Sequence, residues 1–213
     1  ADPSRQVMVV SAPGKRNSSD IKVTDLLIKY AKTVLNYQNY SKIVDEIYSR
    51  YQEIGHFFGL DETQLNIIKD ILLSLPESSY PTDDYLIAAF KAHGERLNAR
   101  LIAMILNQKG IKTKYLDPHE AGLTVTGEPN DAIVSPETYL NLDKIKIDSD
   151  EHIIFPGFFG ITPSGHIATF SRGGSDITGA ILSKGLHADL YENFTDVNGI
   201  FAANPAIIYH PQS

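Results

Sequence analysis

The sequence predicts an α/β fold, a sheet with helices packed over it. Three observations carry that reading. Short unbroken apolar runs, such as Val7 to Val10 and the run within Glu151 to Phe155, have the pattern of strands buried on both faces. A long stretch, about residues 40–109, repeats its apolar side chains at helical spacing. Beyond Gly110 strand-like and helix-like segments alternate, the pattern of a sheet covered by helices.

The elements follow in order. Val7-Met8-Val9-Val10 is the first strand, and it leaves through the turn-rich Ser11-Ala12-Pro13-Gly14-Lys15. Thr24 and Asp25 stand before Leu26, Leu27, Ile28 and Tyr30 as the expected N-cap of an amphipathic helix. Ile43, Ile47, Tyr51 and Ile54 then form a helical stripe. Asp61 to Gln64 starts another helix, with Leu65, Ile68, Ile71 and Leu72 as its buried face. Pro81 to Asp84 opens a third, and a separate stretch from Glu95 to Gln108 ends at Gly110. Strands are expected at Ile111 to Leu116, Glu151 to Phe155, His166 to Phe170 and Ala188 to Phe194, with a helix at Asp176 to Lys184 stopped by Gly185.

Composition narrows the function classes. The chain has 213 residues, enough for one large α/β domain, with 42% hydrophobic and 21% charged residues, as in ordinary globular proteins. A formal net charge of −7 argues against sequence-independent nucleic-acid binding, which needs clustered cations. Cysteine is absent, so disulfides and thiolate chemistry are excluded. No apolar run approaches the roughly 18 residues of a membrane span. The seven histidines form no HxxxH or HExxH pair, and no protein-built metal site is expected.

Four segments could carry chemistry. In Thr169-Phe170-Ser171-Arg172-Gly173-Gly174-Ser175-Asp176 a strand runs through two glycines into a helix. Such a turn brings backbone N–H groups and the helix dipole to an anion, while Arg172 could pair with a carboxylate and Asp176 could orient a lysine or a metal. It could equally be a plain turn capped by Ser175 or Asp176. Phe194-Thr195-Asp196-Val197-Asn198-Gly199 stands where open α/β sheets collect ligands, but alone it reads better as an Asx-type turn. Glu95 in His93-Gly94-Glu95 reads alone as a first-turn acid. Phe155 to Gly160 is a turn with an apolar plug, or a glycine-framed ligand wall formed by Phe158.

Taken together and in this order, the segments resemble the aspartokinases of the amino acid kinase family. Val9-Val10-Ser11-Ala12 followed by Thr24-Asp25-Leu26-Leu27 is similar to the family's second strand and substrate-facing threonine. His93-Gly94-Glu95, Gly157-Phe158-Phe159-Gly160, Arg172 to Asp176 and Thr195-Asp196-Val197-Asn198-Gly199 match its remaining motifs. The resemblance implies the three-layer αβα amino acid kinase fold, with a helical substrate-side region at about 40–109 and the start of a nucleotide-binding part at about 165–213. It implies ATP-dependent phosphorylation of the L-aspartate side chain to 4-phospho-L-aspartate, the first step toward lysine, threonine and methionine, in the cytoplasm. ATP and Mg²⁺ are the implied cofactors, and the full-length protein is expected to be a homo-oligomer.

By the same resemblance Thr24, Glu95, Phe158, Thr169, Arg172 and Ser175 surround the aspartate, with Arg172 on its α-carboxylate and Glu95 on its ammonium. Gly173 and Gly174 lie near the transferred phosphoryl, Asp176 positions the catalytic lysine, and Thr195, Asp196 and Phe201 line the ATP site. A sister kinase for another small acid such as glutamate, or a non-catalytic binding module, are the rival readings. The chain departs from the family at Ser171, where glycine is common, and at Phe201 to Ala206, where many members have Tyr and then Asp-Pro-Arg. The family's Lys-Phe-Gly-Gly-Ser strand is expected before Ala1 and its regulatory ACT domains beyond Ser213. On that reading residues 1–213 alone lack the cation for phosphoryl transfer and are inactive.

Overall fold

The computed structural model describes residues 4–171 and 173–194. Its elements in chain order are β1 (Val7–Val10), α1 (Val23–Leu35), α2 (Ser41–Phe57), α3 (Glu62–Ser74), α4 (Asp83–Gln108), β2 (Thr113–Tyr115), β3 (Val125–Glu128), β4 (Asp131–Val134), α5 (Glu137–Leu142), β5 (His152–Pro156), β6 (Phe159–Ile161), β7 (Ile167–Thr169) and α6 (Gly174–Gly185). A three-stranded sheet of order β1-β5-β2 is parallel throughout, with Val7 opposite Ile153 and Lys114 opposite Ile153 on the other side. β3 and β4 pair antiparallel, as do β6 and β7.

The two-residue period of the strands builds the layers. Val7, Val9, Ile153 and Phe155 point one way and pack with Ile181 and Leu182 of α6 and Leu142 of α5. Met8, Val10 and Ile154 point the other way and meet Ala99 and Ala103 of α4. Sheet strands apolar on both faces therefore lie between two helical layers, an α/β sandwich of the kind the sequence predicts. Behind α4, helices α1, α2 and α3 share a second core around Tyr30, Tyr51 and Phe90. Its buried phenols are satisfied: Tyr30 donates to the Leu72 carbonyl (3.0 Å) and Tyr51 to the Gly94 carbonyl (3.0 Å).

Several elements differ from the sequence expectation. Helix α1 begins at Val23 with Lys22 as its cap, so Thr24 and Asp25 lie inside the first turn. Val23 is fully buried, and drawing it into the core winds the helix back past the threonine. Asp61 does cap α3, in a reciprocal capping box with Gln64. The two helices expected on either side of His93-Gly94-Glu95 are one, α4, of 26 residues. It ends at Gly110, whose φ of 79° needs glycine. Residues Ala188 to Phe194 form no strand; Leu190 and Phe194 stay 73% and 77% exposed without a sheet neighbour. The β3–β4 hairpin, β6 and α5 were not expected.

Gly94 explains why α4 runs on. A Cβ at this position would lie 2.7 Å from the Ala12 Cβ and 3.3 Å from Leu27 Cδ1. The missing side chain is what lets α4, the exit of β1 and α1 meet. On an exposed helix Gly→Ala stabilises by about 1 kcal/mol. Here Gly94→Ala is expected to destabilise, by about 1–3 kcal/mol, because the overpacked backbone cannot move away. Urea unfolding of the full-length protein should show a lower midpoint with an unchanged slope.

Candidate functional site

The parallel strands β1 and β5 end side by side, with the Gly157 N–H donating to the Val10 carbonyl (3.0 Å). Just beyond these carboxyl ends, where open α/β sheets bind ligands, lies an open cleft of about 500 Å³. Four chain segments and α4 form it. The exit of β1 gives Ser11, the start of α1 gives Lys22, Thr24 and Asp25, and the middle of α4 gives Glu95. The β5–β6 turn gives Phe158, and the start of α6 gives Ser171, Gly173, Gly174, Ser175 and Asp176.

Glu95 is the unusual group. It is 6% exposed, and its carboxylate faces the Ala12 backbone N–H. Oε2 has no hydrogen-bond partner among the described residues. Burial pushes its pKa up to about 7, against the opposing effects of the Ala12 N–H and the Lys91 ammonium. A buried acid with one unsatisfied oxygen is built to receive a cation or donor. The neighbouring His93 plays no such part. Its Nδ1 donates to the Ala89 carbonyl (2.7 Å), and burial lowers its pKa to about 3, so it is a neutral core residue.

Across the cleft Gly173 stands at the N-terminal cap of α6, with a φ of 72°, and leaves the helix without a capping side chain. Its first N–H groups and the positive end of its dipole are therefore available to an anion. The turn facing it is held tightly. Phe158 has a φ of 81°, a costly value for an aromatic residue. Its N–H donates to Thr178 Oγ1 (3.0 Å), its carbonyl accepts from the Phe170 N–H (2.8 Å), and Lys91 Nζ lies 5.3 Å from its ring centre. Gly157 and Gly174 have no room for a side chain: a Cβ would lie 2.6 Å from Ser175 Oγ and 2.5 Å from Phe158 Cδ2, respectively. Ser11 Oγ donates to Ser175 Oγ (2.9 Å) and links the two walls.

Of the residues expected at a site, Thr24, Glu95, Phe158, Gly173, Gly174, Ser175 and Asp176 come together in this cleft. Thr169 does not line it. It is fully buried in β7, with its N–H 2.8 Å and its Oγ1 3.4 Å from the Pro129 carbonyl. Arg172, Thr195, Asp196 and Phe201 lie outside the described residues. Ser11, Lys22, Asp25 and Ser171 also line the cleft without having been singled out. Ser11 carried a signal, since it directly follows a buried strand at its carboxyl end. Among the described residues no group of three or more acidic or histidine side chains could hold a metal, and no helix is long and apolar enough to cross a membrane.

The model of the amino acid kinase family matches residues 2–212. The chain belongs to the amino acid kinase family. Within it, Aspartokinase 3 of Bacillus subtilis is 45% identical over 212 residues, 100% of this chain and 46% of that protein. The aspartokinase of Thermus thermophilus is 29% identical over 84% of this chain and 44% of its own length. The crystal structure of the Clostridium acetobutylicum aspartate kinase superposes with a TM-score of 0.74 at 31% identity, covering 100% of this chain and 46% of that one. Escherichia coli aspartokinase III, in complex with aspartate and ADP, shares the fold at a TM-score of 0.70 and 21% identity, over 97% of this chain and 46% of that one. The chain thus spans about half the length of the curated relatives it matches.

The raised Glu95 carboxyl fixes the sign of a pH effect. Its folded pKa, about 7, lies above the reference 4.5, so the folded state binds more protons between these values. Stability therefore falls as pH rises through that window, and the cost is complete above it. Glu95→Gln keeps the shape and removes the charge. Urea unfolding of the full-length protein at pH 5 and 8 should show this variant gaining on the parent at pH 8, on the order of 2 kcal/mol.

Proposed function

We propose that the protein carrying this chain is an aspartate kinase, which transfers the γ-phosphoryl group of ATP to the side-chain carboxylate of L-aspartate. The observation that carries the reading is one cleft holding both an unsatisfied buried carboxylate, Glu95, and the uncapped start of α6. An amino acid with a second carboxylate offers the complementary charges, an ammonium for Glu95 and anions for the helix start. The kinship with aspartokinases supports the choice of aspartate.

In this reading Glu95 receives the ammonium and Arg172 the α-carboxylate in a bidentate pair. Thr24 and Ser175 offer hydroxyls, and Phe158 closes the wall beside the acceptor. Thr169, buried behind that wall, acts by holding β7 in place. A β-carboxylate oxygen attacks the γ-phosphorus, the bond to the bridging oxygen breaks, and ADP leaves with 4-phospho-L-aspartate as product. Gly173 and Gly174 let backbone N–H groups approach the phosphoryl oxygens, the positional and electrostatic work that phosphoryl transfer requires. Asp176 orients the lysine that neutralises the γ-phosphate, and Thr195, Asp196 and Phe201 contact the nucleotide. Mg²⁺ would arrive on the phosphates of ATP, because it is held by one or two carboxylates plus substrate oxygens. Exposed Asp176 is a donor of the right type beside the helix start. The same reading puts the reaction at the head of lysine, threonine and methionine synthesis, in the cytoplasm, by a homo-oligomer.

A coupled assay for ADP release, run on the full-length protein with aspartate, with glutamate and without acceptor, tests the proposal. Aspartate should be turned over and preferred. Better turnover of glutamate would move the substrate, and none with either would leave a binding module. In the active protein Arg172→Lys keeps the charge but loses the planar fork, and should weaken kcat/KM for aspartate by about 30-fold or more.

A further inference from the structure

The segment from Ser11 to Lys22 links β1 to α1 and has no helix or strand of its own, yet both its ends belong to the cleft. At one end Ser11 donates to Ser175, and the Ala12 N–H faces the Glu95 carboxylate. At the other end Lys22 and Thr24 line the cleft. The segment also borders a second cavity of about 470 Å³, which Pro13, Gly14, Lys15, Arg16 and Arg50 help to line. It borders two cavities without helix or strand of its own, and side-chain contacts must hold it.

Arg50 of α2 does so. Its side chain is 4% exposed. Nη2 donates to the Gly14 carbonyl (2.6 Å), and Nη1 donates to the Ile21 carbonyl (2.9 Å). Nη2 also lies 3.0 Å from Asp20 Oδ2. Gly14 stands two residues beyond Ala12, and Ile21 three before Thr24. One guanidinium thus fastens both ends of the segment, just behind the groups that face the cleft. Helix α2 itself lends no described residue to the cleft. Asp20 is shared: the Arg16 backbone N–H (2.9 Å), Nε (3.0 Å) and Nη2 (3.3 Å) also donate to it, and Arg16 reaches on to exposed Glu53 (2.8 Å), a surface pair of the kind that contributes little.

We infer that Arg50 is a positioning residue for the amino-acid side of the cleft, acting through the Ser11–Lys22 segment without touching substrate. This rests on the proposed kinase reading. A buried fork that satisfies two carbonyls and a carboxylate cannot be replaced by lysine, whose compact ammonium does not span them. Losing it frees the wall carrying the Ala12 N–H and Thr24. The nucleotide side is reached through α6, which the segment touches at Ser11–Ser175 and which Arg50 does not bond.

The experiment measures kcat, KM for aspartate, KM for ATP and thermal midpoint in the full-length protein for Arg50→Lys, Arg50→Gln and the surface control Glu53→Gln. Arg50→Gln should raise KM for aspartate by about 10-fold or more, the effect of losing one or two charge-assisted bonds. Arg50→Lys should recover only part of this, and KM for ATP should stay within about twofold of the parent, a difference too small to count as a lost contact. Glu53→Gln should match the parent in every constant. If Arg50→Gln does not fold, Arg50→Lys decides. A KM for aspartate raised about threefold at an unchanged thermal midpoint supports the role, and an unchanged KM overturns it. Arg50 variants that lose kcat and thermal stability while keeping the parental KM for aspartate overturn it too. A parent without aspartate turnover refutes the kinase reading itself, which is a different outcome from an active parent whose Arg50 variants keep their KM.

Discussion

The close contact of α4 with the end of β1 is the constraint on which the rest of the structure depends. Gly94 makes it sterically allowed, and Tyr51 fastens α4 from the helical side through the Gly94 carbonyl. Because α4 lies against both the helical core and the sheet, it is buried nearly all round, with Ala92, Ala99 and Ala103 where larger residues would hold the layers apart. A carboxylate on such a helix cannot reach bulk water. Its only open direction is the cleft, and that makes Glu95 both costly to the fold and useful to a ligand.

The same helix is fixed at its far side by a buried polar cluster. Asp117, just after β2, accepts from the Tyr115 hydroxyl (2.5 Å), the Arg96 Nη2 (3.1 Å) and the His119 N–H (3.0 Å). Arg96 Nε is 2.9 Å from Asp117 Oδ2 but makes no well-aligned hydrogen bond, so this is an ion pair more than a directed contact. Removing either charge would strand the other in a low-dielectric setting. The cluster sets the rotation of α4, and with it the direction of Glu95 one position before Arg96.

Opposite Glu95 the cleft wall stores strain. Phe158 occupies left-handed backbone space because Thr178, Phe170 and the bare Cα of Gly174 leave it no relaxed alternative. Thr178 serves twice, accepting from Phe158 and donating to the Gly174 carbonyl (2.9 Å). The start of α6 and the aromatic wall are thus one rigid unit, as a site that works by positioning requires.

The sequence by itself determined the layer architecture, the helix starts within Asp61 to Gln64 and Pro81 to Asp84, the stop at Gly110, and the identity of most groups that meet in the cleft. These are local or periodic properties: alternating apolar faces, a capping box, a positive φ, and short motifs whose order is written in the chain. Only the tertiary structure decided that α4 is continuous, since the reason for Gly94 is a Cβ of Ala12 some eighty positions away in sequence. It alone showed that Thr24 lies within a helical turn, because burial of Val23 sets where α1 begins. It alone gave Arg50 its place, because a stripe of Ile43, Ile47 and Tyr51 marks α2 as a packing helix and says nothing of carbonyls from another segment. Hydrophobic period is legible along one chain segment; which polar groups end up unsatisfied, or satisfied from afar, depends on contacts between segments that no local pattern records.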